Sequence, residues 1–148
     1  MSTVFRLAVM GDLPELLRLE EQCFSTDRLS RRSFRWMIEG ANGRLLVARC
    51  GEELAGYAVV LFHRSSSVAR LYSLAIADRA RGKGLGRGLL ERVEACARER
   101  KCADLRLEVR VDNPVAIALY ERNGYRPFGL IPAFYQDNVD ALRMNKTL

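Results

Sequence analysis

The alternation of apolar and polar residues along the chain predicts a series of strands and helices. Strand-like runs, rich in apolar and β-branched residues, occupy seven segments, namely 4–8, 44–49, 54–62, 68–77, 105–111, 125–130 and 141–144. Apolar residues at helical spacing predict four helices, which begin after Asp12, after Ser30, at Leu85 and at Val115. This pattern is typical of an α/β (α+β) chain, with a sheet of about six to seven strands flanked by about four helices.

Local signals indicate where these elements turn. Residues 50–53 should join two strands as a hairpin, and the serines at 65–67 should form the next turn, so three successive strands are expected to make an antiparallel meander. Asn113 and Pro114 supply a cap and a first-turn proline for the last helix. No repeat, low-complexity tract or linker interrupts the chain, and we therefore expect one domain over residues 1–148.

Spacing alone also predicts which faces of two elements are polar. In residues 105–111, Leu and Val alternate with charged residues, so one face of this strand should be polar. In the helix that begins at Leu85, apolar residues recur on one side. We expect its polar set to point outward, namely Glu91, Arg92, Glu94 and Arg98.

The most distinctive stretch is Arg-Gly-Lys-Gly-Leu-Gly-Arg-Gly at 81–88, which holds four of the eleven glycines. A glycine loop between a strand and a helix lets a phosphate approach the main chain, where unpaired N–H groups point at it. We interpret the stretch as a pyrophosphate-binding loop, and the alternative is a flexible basic turn. The spacing fits neither a P-loop nor a dinucleotide fingerprint, so ATPase and NAD-binding functions are disfavoured.

The net charge of +6 favours an anionic partner. Net charge alone does not show whether the partner is a nucleic acid or a nucleotide cofactor, or whether the charge only keeps the surface soluble. The cations do, however, concentrate around the glycine stretch, at Arg79, Arg81, Lys83 and Arg87. A nucleic-acid binder should interleave aromatic residues with such a patch, and residues 79–88 contain none. We therefore expect no nucleic-acid partner.

The cysteines and the single histidine restrict the chemistry further. Cys23, Cys50, Cys96 and Cys102 form no CxxC pair, and the amino terminus lacks the apolar run of a signal peptide or membrane span. These features favour a reduced, cytoplasmic setting without membrane contact. Because His63 is the only histidine, a Ser/His/Asp triad or a His/Cys zinc site would be short of residues. We expect no metal, and we expect His63 to be a satisfied or solvated side chain.

Three groups of residues carry a resemblance to a known family. The first is RxxGxG at Arg81, Gly84 and Gly86; the second is LRLEVRVDNPVAIALYERNGY at 105–125; the third comprises Phe-Tyr-Gln-Asp and Asp-Ala-Leu-Arg-Met near the carboxy terminus. With these residues the chain resembles the GNAT superfamily of acyl-CoA N-acyltransferases, and within it the RimI type of ribosomal-protein-alanine N-acetyltransferases. The resemblance spans about residues 44–148. The first forty residues depart from that type, which leaves the acceptor open.

The resemblance implies a GNAT fold, with a central, twisted, mixed and mostly antiparallel sheet, and acetyl-CoA as the co-substrate. The main chain of the fourth strand would hold the pantetheine arm and the acetyl carbonyl, and the main chain of the glycine loop would hold the pyrophosphate, aided by its cations. Asn113 could touch the cofactor as well as cap its helix. The implied donor-binding residues are Leu74, Ala75, Ile76, Arg81, Gly82, Lys83, Gly84, Leu85, Gly86, Arg87 and Asn113.

The resemblance also implies two catalytic residues. Glu108 matches the glutamate that the RimI type uses as a base to take a proton from the attacking amine. Its alternative role is a cross-strand ion pair with an arginine such as Arg106 or Arg110. Tyr120 matches the family's acid, which protonates the coenzyme A thiolate, and its alternative role is that of a core tyrosine with a bonded hydroxyl. Because the implied transfer is direct, in a ternary complex, the cysteines need no nucleophilic role.

By the same resemblance, a protein amino terminus is the leading acceptor. Lysine side chains, small-molecule amines and a non-catalytic acyl-CoA sensor remain alternatives. Tyr135, Asp137 and Asp140 could form an aromatic and acidic rim that attracts a cationic acceptor. For the protein itself we expect a monomer or a weak homodimer.

Overall fold

The computed structural model describes residues 2–40 and 42–148, which contain seven strands and four α-helices. The strands are β1 (Thr3–Leu7), β2 (Gly43–Cys50), β3 (Glu53–Leu61), β4 (Val68–Ile76), β5 (Asp104–Arg110), β6 (Arg126–Ile131) and β7 (Ala141–Thr147). The helices are α1 (Leu13–Cys23), α2 (Arg31–Ile38), α3 (Leu85–Glu99) and α4 (Pro114–Arg122). All of them lie where the apolar pattern predicts them, with ends shifted by a few residues.

The strands form one sheet in the order β1-β2-β3-β4-β5-β7-β6. β4 and β5 are parallel, and α3 provides the crossover that a parallel pair requires. The other neighbouring pairs in this sheet are antiparallel, including the meander of β2, β3 and β4. The predicted mixed, mostly antiparallel sheet flanked by four helices is therefore confirmed.

β4 separates from β5 part-way along its length. Residues 68–71 of β4 pair with 104–107 of β5, and the pairing stops there. At the same point β4 has a bulge against β3, so that Tyr72 has no opposite residue. A bulge bends the strand that carries it. Beyond the bulge, residues 73–76 pair with β3 alone within the described chain, and a gap opens between β4 and β5.

Two apolar cores lie on opposite faces of the sheet, because alternate residues of each strand contribute to different cores. α3 and α4 cover one face, where Leu89 and Leu107 are buried. α1 and α2 cover the other, where Leu16 and Phe34 are buried. Each such side chain stabilises the fold by about 1.5–3 kcal/mol relative to its exposed state. Within the described ranges, no helix combines the length and the apolar character needed to cross a membrane.

The prediction that Glu94 points outward from α3 is wrong. Its side chain is buried against the sheet, where it accepts a hydrogen bond of 2.9 Å from the Tyr125 hydroxyl and one of 3.0 Å from Lys146 Nζ. These donors offset the cost of removing a carboxylate from water. Both lie far from Glu94 in sequence, so the helical pattern alone contains no sign of them.

Asp12 joins β1, β2 and the start of α1. Its carboxylate is 3% exposed and accepts hydrogen bonds from Arg6 Nη1 (2.8 Å), Arg6 Nη2 (2.9 Å), the Val9 N–H (2.8 Å) and Arg49 Nη1 (3.3 Å). The hydrogen bonds from Arg6 lower the pKa of Asp12, against the opposing effect of burial. The ionised form of Asp12 therefore stabilises the folded state.

We predict that Asp12→Asn destabilises the protein at pH 7 by about 1–3 kcal/mol, because a buried charge-assisted network is lost. A carboxylate whose pKa is lowered by folding stabilises above its unfolded pKa, about 3.9, and loses this effect as pH falls through the folded value. The difference between wild type and variant should therefore shrink below about pH 4. Urea denaturation between pH 7 and pH 3 measures it.

Glu53→Gln is the control for this experiment, because the Glu53 ion pair with Arg79 is exposed. This variant should differ little from wild type at any pH. If Asp12→Asn lowers the free energy of unfolding by the same amount at pH 7 and at pH 3, the ionised form of Asp12 is not what stabilises the folded state.

Candidate active site

The gap between β4 and β5 contains two adjoining cavities. One, of about 720 Å³, is lined by the glycine stretch and is called here the glycine-loop cavity. The other, of about 600 Å³, contains Glu108 and Tyr120 and is called the Glu108 cavity. They meet at residues that line both, namely Cys23, Phe24, Leu74, Asn113 and Ala116. A molecule in one cavity can therefore contact a molecule in the other.

The glycine loop presents free main-chain donors to its cavity. Gly82 and Gly84 have φ of +77° and +78°, a left-handed conformation that favours glycine. Gly84 is the N-cap of α3 and offers no side chain to cap it. Since the first helical bond runs from the Gly88 N–H to the Gly84 carbonyl, the three N–H groups of residues 85–87 have no acceptor within the described chain. The helix start is thus suited to an anion.

The other two glycines of the stretch allow close packing. A Cβ on Gly86 would lie 2.9 Å from Leu119 Cδ2 of α4, and one on Gly88 would lie 2.4 Å from Cζ of Phe5 in β1. Gly88 does not line the cavity. The glycine cluster therefore serves two purposes, an open loop at its first half and tight packing at its second.

Three arginines line the glycine-loop cavity, namely Arg81, Arg87 and Arg122. Arg81 pairs with Asp78 and Arg87 with Glu91, in both cases at 3.0 Å on the exposed surface. Arg122 comes from the end of α4, and sequence reasoning missed it because only the fold brings α4 beside the loop. All the predicted donor-binding residues line this cavity except Lys83, which is exposed outside it.

The main chain of β4 points into the gap at Leu74 and Ile76. The Ala77 N–H bonds to the Ala55 carbonyl of β3, at 2.8 Å. Main-chain groups alternate along an antiparallel strand, so those of residues 74 and 76 face away from β3. The Cys23 thiol accordingly donates to the Ile76 carbonyl at 3.4 Å. The N–H groups of Leu74 and Ile76 therefore have no partner in β3, and Leu74 lies where the two cavities meet.

Glu108 lies on the polar face of β5, and its side chain is 10% exposed in the Glu108 cavity. Arg70 of β4 donates to its Oε1 from both Nε (2.8 Å) and Nη2 (2.5 Å). Within the described residues, Oε2 has no hydrogen-bond partner. Glu108 is thus ion-paired, although with Arg70 rather than with Arg106 or Arg110. Those two point from the same strand toward other partners, Asn145 for Arg106, and Asp112 and Asp137 for Arg110.

Tyr120 is 7% exposed and packs edge-to-face on Tyr125, with ring centroids 5.8 Å apart. Tyr120 lines the Glu108 cavity, and its hydroxyl forms no hydrogen bond to any described residue. Burial, followed by the charge of Tyr135, raises the pKa of Tyr120. The hydroxyl therefore keeps its proton at neutral pH. Its lack of a hydrogen bond within the described chain differs from the alternative of a core tyrosine with a bonded hydroxyl.

The rim predicted from Tyr135, Asp137 and Asp140 is less acidic than its composition suggests. Tyr135 lines the Glu108 cavity, and burial, followed by the Glu108 carboxylate, raises its pKa to about 12. Asp137 accepts two hydrogen bonds from Arg110, at 3.1 and 2.6 Å. Asp140 accepts the Ala133 N–H at 2.8 Å. Asp137 is therefore ion-paired, whereas Asp140 accepts a neutral N–H group and has no ion pair among the described residues.

Asn113 acts as the cap of α4, as predicted, because its Oδ1 accepts the Ala116 N–H at 3.1 Å. It also lines both cavities, so capping leaves it beside a bound ligand. His63 is exposed and close to Ser65, with 3.0 Å between Nδ1 and the serine Oγ. It lies outside both cavities, as expected of a satisfied or solvated histidine.

Glu20 was missed by sequence reasoning. It is buried at the base of the Glu108 cavity, where its carboxylate accepts the Tyr57 hydroxyl (2.5 Å) and the Leu29 N–H (2.7 Å). The Tyr57 hydroxyl also lies 2.8 Å from Ser73 Oγ. Burial raises the pKa of Glu20, against the opposing effect of these hydrogen bonds. A signal was present, because Glu20 follows Leu16 by four residues on the apolar face of α1.

Comparison with known proteins supports this arrangement. Residues 12–125 match the model of the acetyltransferase (GNAT) family, so the match includes α1 and α2. N-alpha-acetyltransferase RimI of Mycobacterium tuberculosis is 29% identical over 140 residues, which cover 92% of this chain and 87% of the relative. Streptothricin acetyltransferase of Streptomyces lavendulae is 37% identical over 99 residues, 66% of this chain and 52% of the relative.

A crystal structure of the ribosomal-protein-S18-alanine N-acetyltransferase from Escherichia coli has the same fold. It superposes with a TM-score of 0.86 at 26% identity, over 99% of this chain and 94% of that one. The family match covers most of the chain, and the fold agrees with the one that the glycine loop and the 105–125 segment imply. The chain therefore belongs to the GNAT family of acetyltransferases.

Proposed function

We propose that the protein transfers an acetyl group from acetyl-CoA to the α-amine of a protein amino terminus. The observation that carries the proposal is the meeting of the glycine-loop cavity and the Glu108 cavity in the gap between β4 and β5. The first cavity would hold the donor and the second the acceptor. The acceptor class is supported by relatives named as N-alpha and ribosomal-protein-alanine acetyltransferases.

The glycine-loop cavity suits coenzyme A in three respects. Its two left-handed glycines leave the main chain uncovered, its three free N–H groups at residues 85–87 match a pyrophosphate, and its arginines supply positive charge. Bound acetyl-CoA supplies the activated acetyl thioester. The N–H groups of Leu74 and Ile76 would then hydrogen-bond the donor and stabilise negative charge that develops on an acyl oxygen.

Glu108 is the candidate base. An α-amine is mostly protonated at neutral pH, since its reference pKa is about 8. The proton must leave before the nitrogen can attack, and Oε2 of Glu108 is free to accept it directly or through a water molecule. Arg70 on Oε1 would orient the carboxylate. Tyr120 would then give its hydroxyl proton to the departing sulfur, with no acyl-enzyme and no cysteine nucleophile.

A small-molecule amine is the second candidate acceptor, because the streptothricin acetyltransferase matches this chain at the higher identity of 37%. The amino terminus is favoured because the relative named as an N-alpha-acetyltransferase matches 92% of this chain, whereas the streptothricin acetyltransferase matches 66%. A non-catalytic acyl-CoA sensor would not need an unbonded Tyr120 hydroxyl beside an oriented carboxylate.

We predict that the protein acetylates peptides with a free amino terminus. Each peptide should contain one lysine and be tested beside a copy whose amino terminus is blocked, with coenzyme A release and peptide mass as readouts. Transfer should be lost on blocking, because only the α-amine reaches Glu108. Transfer to the blocked copies or only to streptothricin-type amines would overturn the acceptor class. Thermal stabilisation by coenzyme A without any transfer would indicate a sensor.

Tyr120→Phe should lower kcat by about 10²- to 10⁴-fold, the usual contribution of a general acid, with little change in the affinity for acetyl-CoA. Steady-state kinetics with acetyl-CoA binding separates the two quantities. Tyr125→Phe is the matched control, because it removes a neighbouring hydroxyl that bonds Glu94 and should reduce stability but not kcat. An equal loss of turnover and of acetyl-CoA affinity in Tyr120→Phe would exclude the acid role.

Glu108→Gln should reduce turnover most near pH 7, where the acceptor amine still needs a base, and less near pH 9, where an α-amine of pKa about 8 is already deprotonated. The pH–rate profile from pH 6 to 9 measures this recovery. Asp104→Asn, on the same face of β5 but outside both cavities, should leave the profile unchanged. A deficit in Glu108→Gln that is independent of pH would support the ion-pair role alone.

A further inference from the structure

Arg70 is placed to contact the acceptor as well as Glu108. It lies on β4 just before the gap and lines the Glu108 cavity. Its side chain is 43% exposed, and its guanidinium stacks over the ring of Tyr72 at 5.2 Å. The guanidinium is therefore held in place on one side while part of it remains open to solvent.

The hydrogen-bonding capacity of Arg70 is only partly used. A guanidinium has five N–H donors. Arg70 uses Nε and Nη2 on a single oxygen, Oε1 of Glu108, and its Nη1 forms no hydrogen bond within the described residues. Arg70 therefore has N–H donors left for a second anion. This anion would lie beside the Glu108 carboxylate, which the acceptor amine must approach under the proposed function.

The other arginine in the lining of this cavity uses four of its five N–H donors. Arg110 donates to Asp112 at 3.0 and 3.2 Å and to Asp137 at 3.1 and 2.6 Å, so two carboxylates more than offset its charge. Asp27, on the opposite wall, accepts the Gln136 N–H at 3.1 Å. Of the two arginines among the described residues that line the Glu108 cavity, Arg70 therefore has more unused donors and pairs with one carboxylate rather than two.

The sheet next to Arg70 carries more positive charge. Arg106 lies beside Arg70 in the parallel register, and Arg143 lies opposite Glu108 on β7. Both guanidinium groups stack on the ring of Phe128, at 5.0 and 4.7 Å. A polypeptide that leaves the cavity along this face therefore meets a positive surface, which favours acidic residues after the acetylated one.

We infer that Arg70 is a specificity-determining residue that binds the carboxylate of an acidic second residue in the acceptor, so that amino termini followed by Asp or Glu are the preferred substrates. The inference rests on the proposed function. The amine of the acceptor peptide must lie ~2.6–3.2 Å from Glu108 to give up its proton directly. The Cα atom of the second residue in that peptide then lies only ~3.8 Å from the Cα atom of the first. A carboxylate at this second position reaches the guanidinium that already touches Glu108.

Three peptides that differ only at the second residue, with Glu, Gln or Lys there, test the inference. The wild-type protein should prefer Glu over Gln by about tenfold in kcat/KM, the size expected of one charge-assisted hydrogen bond at a partly exposed site. The effect should lie in the KM for the peptide, not in the KM for acetyl-CoA, and should weaken as salt is added. Lys should be the poorest of the three.

Arg70→Gln should remove the preference between Glu and Gln, and Arg70→Glu should favour the Lys peptide. Each result is a ratio within one variant, so a change in the overall rate through Glu108 does not affect it. Arg70→Lys should retain part of the preference, because it keeps the charge without the planar donors. Arg64→Gln is the control for the loss of one positive charge, since Arg64 is exposed and lines neither cavity, and it should retain the preference.

The possible failures are distinguishable. Equal kcat/KM for the Glu and Gln peptides in the wild-type protein would overturn the inference and leave the proposed function intact, without the need for any variant to fold. A preference that survives in Arg70→Gln would also overturn it. No transfer to any of the three peptides would contradict the proposed function itself, and the inference with it.

Discussion

A strand that bends at a bulge cannot stay in register with straight neighbours on both of its edges. β4 bends at Tyr72, continues along β3 and leaves β5 after Leu71. From this constraint follow the gap in the sheet, the free main-chain groups of Leu74 and Ile76, and the meeting of the two cavities. α3 and α4 then bring the glycine loop and Tyr120 to opposite sides of the same gap. The site is therefore a consequence of interrupted strand pairing rather than of a loop added to a complete sheet.

Charge is distributed unevenly across the gap. On the glycine-loop side, arginines and free N–H groups face the cavity while their acidic partners lie on the exposed surface. On the other side Asp137 is ion-paired with Arg110, and the buried Glu20 accepts hydrogen bonds from a hydroxyl and an N–H. Glu108 keeps one free oxygen and Arg70 keeps free donors. These two groups lie side by side, as the proposed binding of an acidic amino terminus requires.

Sequence reasoning succeeds here where the signal is local and fails where the partners are remote. The strands, the helices, the loop at 81–88 and the Asn113 cap follow from residues a few positions apart, and each lies where it was predicted. Arg70 and Glu108 are 38 positions apart, and the parallel pairing that joins their strands has no local signature, so the wrong arginines were suggested as partners. The prediction that Glu94 points outward is wrong for the same reason, because its partners Tyr125 and Lys146 are remote in sequence. Glu20 is a different case, because its position on the apolar face of α1 can be read from the sequence and would have pointed to a buried carboxylate. The roles of Glu108, Tyr120 and the donor-binding residues remain predictions.

The bond between Glu20 and Leu29 has a further consequence for how this site can change over evolutionary time. Glu20 is anchored to the sheet through Tyr57, and it holds the Leu29 N–H at the far end of a segment that lines the Glu108 cavity. The segment between Phe24 and Leu29 is thus tethered at both ends, while its middle faces the cavity. Under the proposed function, substitutions there would alter the choice of acceptor without disturbing β4 or the glycine loop. Divergence of substrate within a fixed chemistry is the expected history of such an architecture.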